Sequence, residues 1–274
     1  MHCMRIDLST GRVYAGRYWR GPCPSCSKGG RDDALLVDMS TGRRRCWRCD
    51  ERGTVDDFTP VTADPDVVAQ RLEEARFAAC RLFSRATPIC DGDPVATYLH
   101  RRGIPTPPDG WPADLRTLAS ARHPSGHVGP AMVALIRSVD SRPVAVQRTW
   151  VTSDGHKADV RPARLSLGPA TGGAVRCGSA EDVVICEGVE DALAAGALWP
   201  DLCGWATLGC SGMVSLELPP ELQWATIAPD QDEPGRRAAQ SLARRLKAEG
   251  RAVAIREVRG HDPNQMLQLR QERK

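Results

Sequence analysis

The chain has 274 residues, 41% apolar and 26% charged, with a formal net charge of +3, an ordinary globular composition that excludes a chain disordered throughout. That length holds one large or two small cores. No apolar run approaches the roughly 18 residues of a membrane span, and the opening MHCMRIDLST lacks a secretory signal's apolar stretch, so the expectation is a cytoplasmic protein with no membrane partner.

Eleven cysteines, an odd count without an export signal, point to thiols or metal ligands rather than a disulfide framework. Four stand apart by spacing: Cys23 and Cys26 in CPSC, Cys46 and Cys49 in CWRC, with 19 residues between the pairs. Each CxxC lets one tight turn present two thiolates to a tetrahedral Zn²⁺. The intervening SKGGRDDALLVDMSTGRRR reads as a hairpin closed by STGRRR. Residues 1–58 are therefore expected to form a zinc ribbon, with a redox dithiol pair as the competing use of the same spacing. Arg43, Arg44, Arg45 and Arg48 beside Trp47 suit contact with a phosphate backbone and stacking on an unpaired base. The plainer alternative is a solvated rim around a structural metal. The other seven cysteines, Cys3, Cys80, Cys90, Cys177, Cys186, Cys203 and Cys210, are expected to be small buried residues.

Residues 59–110 read as a helical connector. In DPDVVAQRLEEARFAACRLFSRA the spacing of Val68, Leu72, Ala75, Ala79 and Leu82 predicts one face of an amphipathic helix. Arg71, Arg76, Arg81 and Arg85 suit either contact with phosphates or, the plainer reading, a solvated face. GDPVATYLHRRGIP fits a short second helix stopped by Gly103, followed by the proline-rich spacer PTPPDGWP.

Residues 111–180 read as strand-rich and basic. AMVALIRSVDSRPVAVQRTWVTSDGHKA holds two β-prone runs joined at VDSRP, with a second turn at SDG. Residues 101–176 carry 11 Lys and Arg against 5 Asp and Glu, an excess that suits a phosphate-rich ligand.

Residues 181–274 alternate: strand DVVICEG, helix VEDALAAGALW, strands CGWATLG and WATIAPD, helix PGRRAAQSLARRLKAEG, strand AVAIREV. Such alternation implies a parallel sheet covered by helices, with functional groups at the carboxyl ends of strands. Glu187 ends the first strand; Asp230 ends a later one, with Asp232 two residues beyond. In an extended segment, residues two apart share a side, and two carboxylates so close repel unless a cation lies between them. The fold class expected is α+β and α/β: an N-terminal zinc ribbon, a helical connector, a mixed-strand subdomain and an α/β metal-binding domain.

EGVEDAL (Glu187, Gly188, Asp191), DQDEPGRRAA (Asp230, Asp232, Gly235) and HDPNQML (Asp262, Pro263, Asn264) resemble the motif series of the Toprim domain shared by DnaG-type primases and topoisomerases. The strands before them are similar to those preceding Toprim in DnaG-type primases. RATPICDGDPVATYLHRRGI resembles the segment after the zinc ribbon in phage and plasmid primases. The resemblance runs from about residue 20 to residue 268. It implies template-directed synthesis of short RNA primers on single-stranded DNA from nucleoside triphosphates. Asp230 and Asp232 would bind Mg²⁺ or Mn²⁺, Asp262 would be a further ligand, and Glu187 either a ligand or the general base. Arg148 and Lys157, with Arg164 behind them, would grip triphosphate or template, while Asp191 caps or supports the site. His156 and His261 receive no role.

DnaG-type primases also carry a helicase-binding domain, so a replicative helicase is a partner the resemblance suggests but this sequence does not encode. Four cysteines where cellular DnaG has a histidine among its ligands favour a phage, plasmid or other mobile-element origin. Two other classes share parts of the pattern. A recombination mediator joins a four-cysteine zinc motif to Toprim without polymerising anything. A Toprim nuclease uses the same metals to cut, but its usual partner is an ATPase domain, and this sequence has no GxxxxGK[ST] loop.

Overall fold

A computed structural model describes residues 3–7, 10–14, 18–27, 33–46, 48–58, 65–178, 181–256 and 262–272. Trp47 and His261 lie outside the described residues, as does the side chain of Cys3. The chain divides into two compact units, Met1–Glu74 and Ala75–Lys274.

The first unit is built on strands β1 (Cys3–Met4), β2 (Arg12–Tyr14), β3 (Tyr18–Gly21), β4 (Leu35–Asp38), β5 (Arg43–Cys46) and β6 (Arg52–Val55). They form one sheet in the order β1, β6, β5, β4, β3, β2, antiparallel except for the parallel pairing of β1 with β6. β4 and β5 are the hairpin that STGRRR predicts: Leu35 faces Cys46 and Val37 faces Arg44 across the ladder. The period of two sends Leu35, Val37 and Cys46 inward, where they meet Trp19, Cys23, Met39 and Val55.

Helix α1 (Pro65–Ser84) runs across the division between the units. Its predicted apolar face is sealed only toward its carboxyl end: Ala79 is fully buried, whereas Leu72 is 37% exposed. Ala79, Leu82 and Phe83 belong to the core of the second unit, and the residues before Ala75 do not.

In the second unit, α1 is followed by β7 (Thr87–Pro88), α2 (Pro94–Arg101), β8 (Leu115–Arg122), β9 (Val128–Arg137), β10 (Pro143–Trp150) and β11 (Arg164–Leu167). Asp93 caps α2 by accepting from the amides of Val95 and Ala96 at 2.8 and 2.7 Å, a contribution of about 1 kcal/mol. The strands form an antiparallel sheet in the order β11, β10, β9, β8, β7. β9 is buried on both faces: Ala131, Val133 and Leu135 pack beside Ala79 and Trp150, while Met132, Ala134 and Ile136 pack beside Tyr98 and Leu99 of α2. This accounts for its unbroken apolar run. β8 lies in LRTLASAR, too poor in β-branched residues to read as a strand.

The remainder contains β12 (Val175–Arg176), β13 (Asp182–Cys186), α3 (Val189–Leu198), β14 (Leu202–Ala206), α4 (Cys210–Ser215), β15 (Trp224–Ile227), α5 (Glu233–Ala248), β16 (Ala252–Ile255) and α6 (Pro263–Glu272). The sheet order is β12, β14, β13, β15, β16. The last four strands are parallel and β12 is an antiparallel edge. The chain leaves β13 toward β14 on one side and later returns to place β15 on the other. α3 packs on one face of this sheet with Val184 and Cys186; α4 and α5 pack on the other with Ile185 and Ile227. The order of connection therefore reverses between β13 and β15, and such a reversal opens a crevice at the carboxyl ends of the two strands. α4 and α6 were not legible as helices in the sequence.

Candidate functional site

In the first unit the thiols of Cys23, Cys26, Cys46 and Cys49 all lie within 4.8 Å of one another. Among the described residues this is the one group of three or more such side chains drawn close enough to hold an ion. Cys26 and Cys46 approach to 3.5 Å and Cys23 and Cys49 to 3.9 Å. Burial works against a charged Cys46, but the amides of Cys49 and Arg48 outweigh it and bring the thiol down to about 7. A thiolate held by amides beside three more thiols fits a tetrahedral, sulfur-preferring metal.

The arginines around this cluster divide. Arg43 is exposed on β5. Arg44 points inward, 3% exposed, paired with Glu51 at 3.0 Å and donating to the Thr54 carbonyl. Alternation from the inward Cys46 dictates this, so the expectation of a phosphate contact at Arg44 is corrected: that side chain ties β5 to β6. Arg45 pairs with Asp50 at 3.1 Å, and Arg48 donates to the Cys26 carbonyl at 3.0 Å, across the cysteine cluster.

In the second unit a cavity of about 360 Å³ opens at the switch point, lined by Gln147, Arg164, Ser166, Glu187, Gly188, Asp191, Leu208, Gly209 and Asp230. Glu187 follows β13 directly, and Asp230 follows β15 by three residues. Glu187 Oε2 accepts from Cys210 Sγ at 3.3 Å. Glu187 Oε1 and Asp230 Oδ1 are buried with no hydrogen-bond partner among the described residues. Burial, and then the charge of Asp230, raises the pKa of Glu187; burial, then Asp262 and Asp232, raises that of Asp230. Asp191 is affected most: burial, Asp262 and Asp230 push it up to about 7. Bare, buried, mutually repelling carboxylate oxygens are the chemistry of a site for a hard divalent cation. They line an open cavity and are not drawn around one point as the cysteines are, which suits an ion sharing its shell with water and phosphate oxygens.

Asp232, two residues beyond Asp230, keeps an extended backbone, and its charge acts on Asp230. It is the N-cap of α5, accepting from the Gly235 amide at 2.8 Å. Asp262 opens α6 in the same way, accepting from the Gln265 amide at 2.7 Å. A Cβ added at Gly235 would lie 2.6 Å from Glu187 Oε1 and 3.0 Å from Asp232 Oδ1, so the glycine lets α5 start against the acids. Asp191 accepts from the backbone amide of the fully buried Asn264 at 3.3 Å, which ties α3 to the first turn of α6.

The basic side chains also divide. Arg164, on β11, lines the cavity, and its Nη2 lies 2.8 Å from Glu190 Oε1. Lys157 Nζ is 3.9 Å from the same oxygen. Arg148 lies elsewhere: it alternates with Gln147 and shares a face with Val146 and Trp150, its guanidinium 5.0 Å from the Trp150 ring. The cavity is lined by Gln147, one residue earlier, and not by Arg148. Of the seven scattered cysteines, Cys186 and Cys203 are buried as expected, Cys90 is exposed, and Cys210 touches Glu187. Sequence reasoning missed Gln147, Ser166 and Glu190.

Two family models match the chain: a domain of unknown function, DUF7146, over residues 73–177 and the Toprim domain over residues 182–272. No curated protein matches. Among solved structures, the zinc-binding and RNA polymerase domains of Aquifex aeolicus primase align at 15% identity, covering 94% of this chain and 77% of that one with a TM-score of 0.48. The primase fragment of the bacteriophage T7 primase-helicase protein aligns at 14% identity, covering 93% and 96%, with a TM-score of 0.42. The Escherichia coli primase catalytic core aligns at 14% identity, covering 75% and 70%, with a TM-score of 0.34. No helix among the described residues is long and apolar enough to cross a membrane.

Proposed function

We propose that this chain is a DNA primase that joins nucleoside triphosphates into short RNA primers on a single-stranded DNA template. The observation that carries the reading is the pair of bare carboxylate oxygens, Glu187 Oε1 and Asp230 Oδ1, in one cavity with the guanidinium of Arg164. The wall that suits a divalent cation belongs to the segment that matches the Toprim domain, and the wall that suits a phosphate, with Arg164, to the segment that matches DUF7146.

In this reading Glu187 and Asp230 hold Mg²⁺ or Mn²⁺, with Asp232 and Asp262 flanking them. Such an ion supplies charge neutralisation between a primer 3′ hydroxyl and the incoming triphosphate. Arg164 binds triphosphate oxygens by charge-assisted hydrogen bonds, with Lys157 as a second cation. Gln147 and Ser166 offer neutral hydrogen-bonding groups on the same wall. The buried strands β13 and β15 hold Glu187 and Asp230 partly out of water, which strengthens the charge interactions there. The ribbon of residues 1–58, folded around zinc, contacts the template through Arg43, and residues 59–110 and 111–180 connect it to the Toprim segment of residues 181–274.

The test is incubation of the purified chain with labelled ribonucleotides, Mg²⁺ or Mn²⁺ and single-stranded DNA. Short RNA products should appear with the wild type and fall at least a hundredfold with Asp230→Asn, whose side chain keeps its size but loses the charge that a cation needs. That variant should melt no earlier, because repulsion from Asp232 and Asp262 is relieved. Absence of template-dependent RNA overturns the reading, and cleaved template in its place indicates a nuclease.

A further inference from the structure

Glu190 lies in the middle of EGVEDAL, on the first turn of α3, in a helix otherwise rich in alanine and leucine. An acid at such a place ordinarily faces water. This one is 2% exposed. Its Oε1 accepts from Tyr98 Oη at 2.5 Å and from Arg164 Nη2 at 2.8 Å, and Lys157 Nζ stands 3.9 Å away. The three donors come from α2, from β11 and from the turn after β10, so one buried oxygen gathers groups separated by up to 92 residues in sequence. Arg164 also lines the cavity that holds Glu187, Asp191 and Asp230, while Glu190 and Tyr98 do not.

A buried charge is costly unless paired and hydrogen-bonded. Here the pairing is complete, and burial's push on Glu190 toward neutrality is outweighed first by Arg164 and then by the Tyr98 hydroxyl. The other side of the arrangement is mechanical. An arginine on a short edge strand has many rotamers; pairing with a carboxylate that is itself held by a tyrosine in the core restricts them, while the side chain stays 39% exposed toward an anion. A cation already in position binds an anion without the entropic cost of ordering a long side chain.

We propose that Glu190 is a positioning residue: its carboxylate, beside which Lys157 also stands, fixes Arg164 at the rim of the acid cavity as a preorganised seat for the phosphates of a nucleoside triphosphate. This rests on the primase reading and specifies which part of the chain sets nucleotide affinity. Glu190 touches neither the reacting atoms nor the cation, so its removal acts on binding rather than on chemistry.

The experiment measures binding of a fluorescent ATP analogue to the full chain by anisotropy, and KM and kcat for primer synthesis, in Glu190→Gln, Arg164→Gln and the double variant. Loss of one charge-assisted contact corresponds to about tenfold in affinity. Glu190→Gln should raise Kd and KM about tenfold with kcat within about threefold of wild type, and should add nothing further in the Arg164→Gln background. A merely structural role would instead lower kcat and thermal stability in both backgrounds, and overturns the inference. Glu190→Asp keeps the buried charge, and so the fold, but withdraws it by one methylene; it should raise KM about threefold. A wild-type KM in Glu190→Asp overturns the inference even where Glu190→Gln does not fold. Nucleotide binding by the wild type matched by Glu190→Gln sinks this inference alone. A wild type that binds no nucleotide sinks the primase reading and takes this inference with it.

Discussion

Asp191→Asn should stabilise the metal-free protein, and by an amount that depends on pH in a defined direction. Burial, then Asp262 and Asp230, lifts the Asp191 carboxyl from an ordinary 3.8 to about 7. Its folded pKa is raised, so its contribution to stability is fully present below about pH 4, is lost as pH rises toward 7 and does not change further above that. At about 1.4 kcal/mol for each tenfold change, holding the carboxylate charged in the fold at pH 8 costs about 4 kcal/mol. The asparagine has no charge to penalise, and it keeps an oxygen for the Asn264 amide. The variant should therefore match wild type near pH 4 and exceed it by up to about 4 kcal/mol at pH 8. For a unit the size of Ala75–Lys274 that is roughly 8–16 °C in Tm. The assay is urea and thermal unfolding from pH 4 to 8 with EDTA, repeated with Mg²⁺, which should narrow the gap by stabilising the wild type more. A difference that is flat with pH, or a variant less stable at pH 8, would refute the reasoning.

Two further outcomes concern the first unit. Cys46→Ser should release about one zinc per chain and expose residues 20–55 to protease, because ion binding and folding are one process in so small a ribbon; protein purified without zinc yet protected there would contradict the assignment. Arg43→Ala should lower the salt dependence of single-stranded DNA binding by about one unit of slope. Arg44→Ala should leave that slope unchanged and destabilise the ribbon by about 2 kcal/mol, because it removes a buried side chain's bonds to Glu51 and the Thr54 carbonyl. Equal effects of the two arginines on the slope would show that both reach the phosphates.

The parts that were legible in the sequence are those encoded locally. VVICEG and WATIAPD place an acid just past a strand of buried β-branched residues, so Glu187 and Asp230 follow from pattern and strand order. The cysteine pairs follow from spacing. What was not legible depends on partners far along the chain. Nothing local distinguishes Glu190 from a solvated helix acid; Tyr98 and Arg164 do, from 92 and 26 residues away. The choice between Gln147 and Arg148 is a matter of register, because two adjacent strand residues face opposite ways and the flanking β9 and β11 fix which one meets the cavity. Arg44 is a different case. Cys46 points inward with the other cysteines, so the residue two before it does too, a signal present in RRRC itself.

Three helices begin at the acid cavity: α3 after Gly188, α5 at its cap Asp232 and α6 at Asp262. Each helix start carries roughly half a positive charge in its unpaired amides, so the three together offset only part of the five formal charges on Glu187, Asp191, Asp230, Asp232 and Asp262. The surplus that remains is negative, reduced by the proton Asp191 holds below about pH 7, and a divalent ion would offset it. The same amides that moderate the repulsion are the first turns of α3 and α5, packed on the sheet, and of α6, packed against α3. The charge of the cavity and the state of those helix ends are therefore coupled, and a change of charge at the acids should register in the first turns of α3, α5 and α6.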